Sequence, residues 1–319
     1  MTALTVVVPT YDSAAWVAGT LRAVLAQAVD DLEVIVVDDG SGDDTVAVCR
    51  EVAAQDPRLR VLPLETNGGV SRARQAAVAQ ARGEYLWLVD ADDQVGPDAA
   101  ARMLAAARAA DADVVLARAR FVYPDGTARP VPSPAPGTLH GSDVLRALLR
   151  GHASGHLWNK LLRRDLLQPE DFVAARVHSD LALTAAALGR ARTAVSLDAH
   201  VYDYRLREGS IITTPRSRAD SLAVVGDAVA AVAATHGIGP GDADYDYFRC
   251  RFITLSGVKD LVSTSDRPDA ARLRDLRREL GTRQLRALAA RRDTRRLALA
   301  VTARCSLPAH RVLLALAAR

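Results

Sequence analysis

The run Leu32-Glu33-Val34-Ile35-Val36-Val37-Asp38-Asp39-Gly40-Ser41 decides the fold. Its first six residues form a short, β-branched stretch that reads as a strand buried on both faces. Its last four are a turn that sets two carboxylates and a glycine at the strand's carboxyl end. The same pattern recurs on either side. Upstream, residues 4–8 are another β-branched run, stopped by Pro9 and followed by Thr10-Tyr11-Asp12. Between the two, Trp16, Val17, Thr20, Leu21, Val24 and Leu25 recur at helical spacing, with Ser13 placed to cap that helix. Downstream come a helix over about 44–55, a strand near 60–64, the turn Asn67-Gly68-Gly69 and a helix over about 70–82. A strand at 85–89 closes on Asp90-Ala91-Asp92-Asp93, and a helix from about Pro97 leads to a strand at 113–117. Such alternation predicts an α/β fold: a Rossmann-like, mostly parallel sheet flanked by helices on both faces.

Past residue 120 the rhythm changes. Pro130, Pro132, Pro134 and Pro136 predict an extended surface loop. Residues 141–205 mix short helices and strands around Trp158-Asn159-Lys160 and His178-Ser179-Asp180. From about Arg218 the pattern is helical, over 222–235, 245–262 and 270–280, then through a basic amphipathic stretch to Arg319. The expected division is therefore 1–215, with halves 1–120 and 121–215, and an all-helical extension over 216–319.

Composition narrows the class. With 49% hydrophobic and 25% charged residues among 319, a packed core is expected and global disorder is excluded. The three cysteines, Cys49, Cys250 and Cys305, are too dispersed for a disulfide framework or a zinc ribbon, and fit a reducing compartment. Of 41 basic residues only Lys160 and Lys259 are lysines. With aromatics at 4%, the arginines lack the interleaved rings of a nucleic-acid groove, which argues against that partner. No apolar run approaches the roughly 18 residues needed to span a bilayer. The N-terminus has no basic region before its short apolar run, so no signal peptide is expected and a cytoplasmic location is.

In an open parallel sheet, ligands bind outside the carboxyl ends of the strands. Three polar clusters fall there: Pro9-Thr10-Tyr11-Asp12, Asp38-Asp39-Gly40-Ser41 and Asp90-Ala91-Asp92-Asp93. Each alone also reads as an ordinary turn or helix cap. Together they point to one site. The crowded carboxylates of the last cluster repel one another unless a hard cation neutralises them. Mg²⁺ or Mn²⁺ takes one or two protein carboxylates and leaves positions for phosphate oxygens, so the implied ligand is a diphosphate. No GxGxxG follows the first strand and no GxxxxGK[ST] occurs, which argues against a dinucleotide cofactor and a P-loop.

These motifs, with Gly68-Gly69-Val70-Ser71-Arg72-Ala73-Arg74 and Gly83-Glu84-Tyr85, resemble the family-2 inverting glycosyltransferases of the GT-A fold, in order and spacing, over about residues 3–120. Weaker resemblance continues through Trp158-Asn159-Lys160-Leu161, Asp180 and Tyr202-Asp203-Tyr204-Arg205 to about residue 212. The resemblance implies a nucleotide-diphosphate sugar donor, UDP-sugar favoured, and a hydroxyl acceptor on a glycan, wall or capsular polymer, lipid-linked glycan or small molecule. It implies that Pro9, Thr10 and Tyr11 line the nucleoside, that Asp39 accepts from a base N–H, and that Asp38 supports that pocket. Asp92 would hold Mn²⁺ or Mg²⁺, with Asp90 on ribose or metal and Ala91 between them. Arg72 and Arg74 lie where the family places a basic residue near the nucleotide, and surface exposure reads equally well for one of the two.

Inversion by direct displacement needs a carboxylate to take the acceptor's proton. The resemblance gives that role to Asp180; its family companion, an acid, is here Ser179. The plainer alternative is that Asp180 caps the helix after it. Trp158, Asn159 and Lys160 are expected toward the acceptor or the phosphates and His178 toward the acceptor, with core packing the alternative for Trp158. Gln75 and Asp203 depart from the family pattern, standing where Asn and Tyr are commoner.

Two rivals to a transferase remain at this level. A sugar nucleotidyltransferase would carry a glycine-rich loop after the first strand, which Pro9-Thr10-Tyr11-Asp12 lacks. A catalytically silent nucleotide-binding or scaffold subunit would have no need of Asp92 and Asp180. The tail, where Arg283, Arg286, Arg291, Arg292, Arg295, Arg296, Arg304 and Arg311 interleave with leucines, has two readings. One is peripheral docking on the inner face of the membrane; the other is a bundle with its apolar stripe buried on the chain or on a second copy.

Overall fold

The computed structural model describes residues 2–206, 218–264 and 269–317. The first two strands, β1 (Leu4–Thr10) and β2 (Leu32–Asp38), are buried along their whole length and pair in parallel. Helices α1 (Val17–Leu25) and α2 (Thr45–Ala53) connect them to each other and to β3 (Leu59–Pro63). Helix α3 (Val70–Val78) leads to β4 (Tyr85–Leu88), which pairs in parallel with the other side of β1. Strand β5 (Gln94–Val95), helix α4 (Ala99–Ala109) and strand β6 (Val114–Val122) follow. The next elements are β7 (Ala128–Pro130), β8 (Gly137–His140), α5 (Ser142–Leu149), β9 (Lys160–Arg163), α6 (Ser179–Arg190) and β10 (Thr193–Arg205).

The sheet order is β3-β2-β1-β4-β9-β6-β10-β5, with β7 paired to β6 and β8 to β10. The run β3-β2-β1-β4 and the pair β6–β10 are parallel, as the alternation predicts. Strand β9 lies antiparallel between β4 and β6, and β5, β7 and β8 pair antiparallel at the margins. The expected line between residues 120 and 121 falls inside β6, so both halves share one sheet. The expected boundary at 215–216 lies outside the described residues.

Alternate residues of each strand serve opposite faces. Val7, Ile35, Val37, Leu86 and Leu88 join one core with α3, α5 and α6, while Val6, Val8, Val34, Val36 and Trp87 join another with α1 and α4. Helix α1 buries Val17, Thr20, Leu21, Val24 and Leu25 as its spacing predicts. Ser13 does not cap it, because its hydroxyl donates to Tyr11 O, and Trp16 is exposed. The proline segment is fastened rather than free: Pro132 O accepts from Ser154 N, and Pro134 O from the Ser196 hydroxyl.

Helix α7 (Ala219–Thr235) packs Val225, Val229 and Ala233 into the first core. Helices α8 (Ala243–Phe248), α9 (Leu255–Thr264), α10 (Ala270–Glu279), α11 (Thr282–Ala290), α12 (Thr294–Cys305) and α13 (Leu307–Ala317) complete the chain. They enclose a separate cluster of Tyr247, Val258, Leu261, Leu273, Leu280, Leu288, Ala300 and Ala303. The single helix expected over 245–262 is broken by a π-helical turn, Arg249–Thr254, between α8 and α9.

Candidate functional site

Register places the site. Thr10 pairs with Asp38 at the ends of β1 and β2, and Val7 with Leu88. The segments after β1, β2 and β4 therefore emerge on one edge. At the ends of β1 and β2, Asp38 is 2% exposed and accepts from Thr10 Oγ1 at 3.2 Å, Ser41 N at 2.9 Å and Ser41 Oγ at 2.5 Å. Asp39, equally buried, accepts from Gly68 N at 2.9 Å and Gly69 N at 2.7 Å. The two loops are thus clamped by one carboxylate. Gly40 is required between them: its φ is 74°, and a Cβ there would stand 2.8 Å from Asn67 N. Pro9 and Thr10 are buried beneath this edge, whereas Tyr11 is exposed at the mouth.

The loop after β4 is pinned from below. Tyr202 Oη donates to Asp93 Oδ2 at 2.8 Å and accepts from Asp90 N at 3.0 Å, Arg205 N donates to Asp93 Oδ1 at 2.9 Å, and Thr20 Oγ1 donates to Ala91 O at 2.8 Å. Burial, aided by Asp90 and Asp92, pushes the Asp93 carboxyl well above its usual range. Asp93 therefore sets the loop's shape, a role the sequence did not single out; its only signal was the carboxylate doubled at 92–93. Asp90 is pushed up to about 6 by burial, with Asp180 and Asp92 adding to the rise and Arg74 opposing it.

Arg74 joins the two ends of the site. It is 3% exposed; Nη2 donates to Asp90 Oδ1 at 2.9 Å and Nη1 to Asp180 Oδ1 at 2.5 Å. Its Nε has no partner among the described residues. Arg72, two residues earlier, is exposed, with its side chain over Gly68 and Nη1 donating to Thr66 Oγ1 at 3.3 Å. The structure thus separates the two arginines: one faces the carboxylates and one faces solvent.

Asp180 lies in the first turn of α6, not at its cap. His178 holds the cap position with φ 63° and makes no side-chain cap bond, and it is exposed. The Asp180 carboxylate sits near the positive end of the helix and is turned to Arg74. The side chains of Trp158, Asn159 and Lys160 are closed off from solvent, at 1%, 2% and 0% exposure. This corrects the expectation that they face an acceptor or the phosphates. Trp158 stacks on Tyr202, and Asn159 Nδ2 donates to Ala117 O at 2.9 Å. Lys160 Nζ donates to His156 O at 2.5 Å, Asn159 Oδ1 at 2.9 Å and Ser154 Oγ at 3.3 Å. Burial pushes the Lys160 ammonium down to about 7 despite the pull of Asp180.

Among the described residues, no three His, Cys, Asp or Glu side chains converge as a ready metal cage. The donor set nevertheless fits Mg²⁺ or Mn²⁺. Asp92 and Asp180 each repel the Asp90 carboxylate, with Arg74 as counter-charge, and one or two carboxylates suffice where phosphate oxygens complete the shell. Asp92, half-buried in that loop, and Asp90 would hold it.

Comparison with known proteins agrees with this architecture. Residues 5–169 match the model of glycosyl transferase family 2. The succinoglycan biosynthesis protein ExoO of Rhizobium meliloti is 33% identical over 222 residues, which cover 65% of this chain and 62% of ExoO. The glycosyltransferase GlyG of Streptococcus pneumoniae is 28% identical over 230 residues, 66% of this chain and 73% of GlyG. Among solved structures, residues 1–349 of S. aureus TarS in complex with UDP-GlcNAc superpose with a TM-score of 0.68 at 22% identity, covering 98% of this chain and 90% of that one. The shared fold is GT-A, with a helical C-terminal region. More than half of the sequence lies within the family match, and the chain belongs to glycosyl transferase family 2.

Proposed function

We propose that this protein transfers a sugar from a nucleoside diphosphate sugar, UDP-sugar first, to a hydroxyl of a glycan, lipid-linked or small-molecule acceptor, with inversion. One observation carries the reading: Arg74 bridges Asp90, at the donor loop, to Asp180, at the start of α6. A donor held at the first and an acceptor at the second would be juxtaposed. Tyr11 covers the base, and Asp38 and Asp39 fix the loops that bound the nucleoside. Asp180 takes the proton of the attacking hydroxyl as that oxygen bonds to the anomeric carbon and the bond to the diphosphate breaks. Asp92 and Asp90 would hold Mn²⁺ or Mg²⁺, which when bound would neutralise charge on the departing diphosphate. Arg74, permanently cationic, holds Asp180 in place and limits the repulsion between the carboxylates.

The C-terminal helices act in this reading as a packed bundle rather than a lipid anchor. Leu288, Ala300 and Ala303 are buried, Arg291 pairs with Asp244, and Arg296 pairs with Asp293. No helix among the described residues is long and apolar enough to cross a membrane.

A thermal-shift screen of UDP, GDP and dTDP, each with and without Mn²⁺, tests the donor assignment, since a ligand of the folded state raises the melting temperature. Stabilisation by UDP that requires Mn²⁺ and disappears in Asp92→Asn is expected. The absence of a shift with every nucleotide would remove the reading.

A further inference from the structure

Four of the chain's fourteen Phe, Trp and Tyr residues, with one histidine, gather in a single cluster against the carboxylates. Its lower layer is closed: Trp158 and Tyr202 stack at 4.7 Å with planes 8° apart, both fully buried. On Trp158 lies an upper layer of half-buried rings. His156 stacks there at 4.7 Å and 16°, and Tyr204 at 5.7 Å and 23°. Phe121 meets them edge-on, at 5.5 Å from His156 and 5.6 Å from Tyr204.

The backbone holds this layer next to Asp180. Thr184, one turn beyond Asp180 on α6, donates its hydroxyl to Gly155 O at 3.0 Å, and His156 is the next residue. Gly155 packs so closely on α6 that a Cβ would stand 2.7 Å from Leu181 Cδ1. Lys160 Nζ grips His156 O from the other side. Asp180 is among the charges felt by both His156 and Tyr204. Burial pushes the His156 imidazole down to about 4, so the ring is neutral at physiological pH and the layer offers no cation to a phosphate. Its ring nitrogens make no hydrogen bond to any described residue, which leaves them free to meet a hydroxyl.

An uncharged aromatic surface beside a general base suits a ligand with an apolar face and hydroxyls at its rim. We propose that His156 and Tyr204 form a stacking platform for the ring of the acceptor, with Phe121 standing across them as its side wall; the acceptor is therefore a pyranoside and not a ring-free polyol or an alkyl alcohol. The inference rests on the reading of Asp180 as the base, and it specifies what that base deprotonates.

Saturation-transfer NMR on the full chain with UDP present, using methyl glucopyranoside, methyl N-acetylglucosaminide, ribitol and hexanol as probes, tests it. The expected result is binding of a pyranoside but not of ribitol or hexanol, with affinity lowered about 2- to 10-fold in Tyr204→Leu, the scale of one lost aromatic stack, and lowered also in Phe121→Leu, which removes the ring that braces the platform. His156→Gln, which keeps the hydrogen-bonding capacity and loses the ring, should fall between those variants and wild type. The thermal shift with UDP reports whether each variant retains a folded donor pocket. Pyranoside affinity unchanged in all three variants, equal binding of ribitol, or no pyranoside binding beside a normal UDP shift would each overturn the platform. A missing UDP shift in a protein that still binds pyranosides would count against the donor assignment alone.

Discussion

Arg74 Nη1 and Asp180 Oδ1 meet at 2.5 Å although 106 residues separate them. The contact ties the middle of α3 to the first turn of α6, and the same guanidinium reaches Asp90 at the end of β4. A planar fork with two outward nitrogens spans two carboxylates; an ammonium, a compact point charge, does not. Arg74→Lys should therefore keep the fold and lower kcat by about 10- to 100-fold with little change in the donor KM, the scale seen when a supporting partner of a functional carboxylate is lost. Arg74→Leu should also destabilise by about 1–3 kcal/mol. That figure is below the range for a fully buried pair because Asp90 and Asp180 keep 26% and 23% of their side chains exposed. Steady-state kinetics beside urea unfolding separates the two effects, and wild-type kcat in Arg74→Lys would show the bridge to be structural only.

Asp180→Asn is close to isosteric and cannot accept a proton. Donor affinity should hold while turnover falls by about 10² to 10⁴. If affinity and turnover fell together, Asp180 would be shaping the donor pocket, and the base would have to be sought elsewhere. The anomeric configuration of the product, read by NMR, should be opposite to that of the donor.

Two glycines of the loops joined by Asp39 should respond unequally to alanine. Gly40 and Gly69 both have positive φ, 74° and 86°, but only Gly40 faces backbone within 3 Å of a Cβ, while the space around Gly69 is open. Gly69→Ala should cost about 1–2 kcal/mol of backbone strain. Gly40→Ala adds a clash that must push the Asn67 loop away from Asp39, so its loss of melting temperature should be the larger and UDP binding should weaken with it. Equal losses would mean that the two loops are not clamped as described.

How much of this was legible in the sequence follows from distance along the chain. Strands β1, β2 and β4, with the polar ends at Thr10, Asp38 and Asp90, were readable because their burial and their turns are written in adjacent residues. Strand β9 was not. Lys160–Arg163 carries no signal that it inserts antiparallel between β4 and β6, since that choice depends on partners more than 40 residues away. The same limit applied to Arg72 and Arg74, whose different fates depend on helix phase relative to Asp180. It applied again to Trp158-Asn159-Lys160, whose polar members look like ligand contacts but spend their hydrogen bonds on Ala117 O and His156 O.

The tail allows a direct test. Its apolar stripe is largely internal, with Leu288 fully buried and Leu285, Leu297 and Leu299 partly so, although Val301, Val312 and Leu316 remain exposed. Full-length protein should stay in the supernatant with anionic vesicles at low salt, while removal of 281–319 should uncover Val258, Leu261 and Leu273 and cause aggregation. Pelleting that weakens as salt rises, over the 8–10 Å screening range near physiological ionic strength, would instead establish lipid docking.

Lys160 supplies a pH dependence whose sign can be worked out in advance. Burial lowers its ammonium from the usual 10.5 to about 7 in the folded chain. Between those values the unfolded chain holds the proton and the folded chain has released it, so stability rises with pH, by up to about 1.4 kcal/mol per pH unit for one proton. Below about pH 7 both states are protonated, and the cost of burying the charge is borne in full. Lys160→Met removes the titration and leaves His156 O and Asn159 Oδ1 without a donor, a loss that does not vary over this range. The stability of wild type minus that of Lys160→Met, measured by urea unfolding from pH 7 to pH 10, should therefore increase steadily, because every other titrating group is common to the two proteins. A difference that stays flat to pH 9 would mean that Lys160 remains charged in the folded state, held by Asp180 more strongly than burial opposes it.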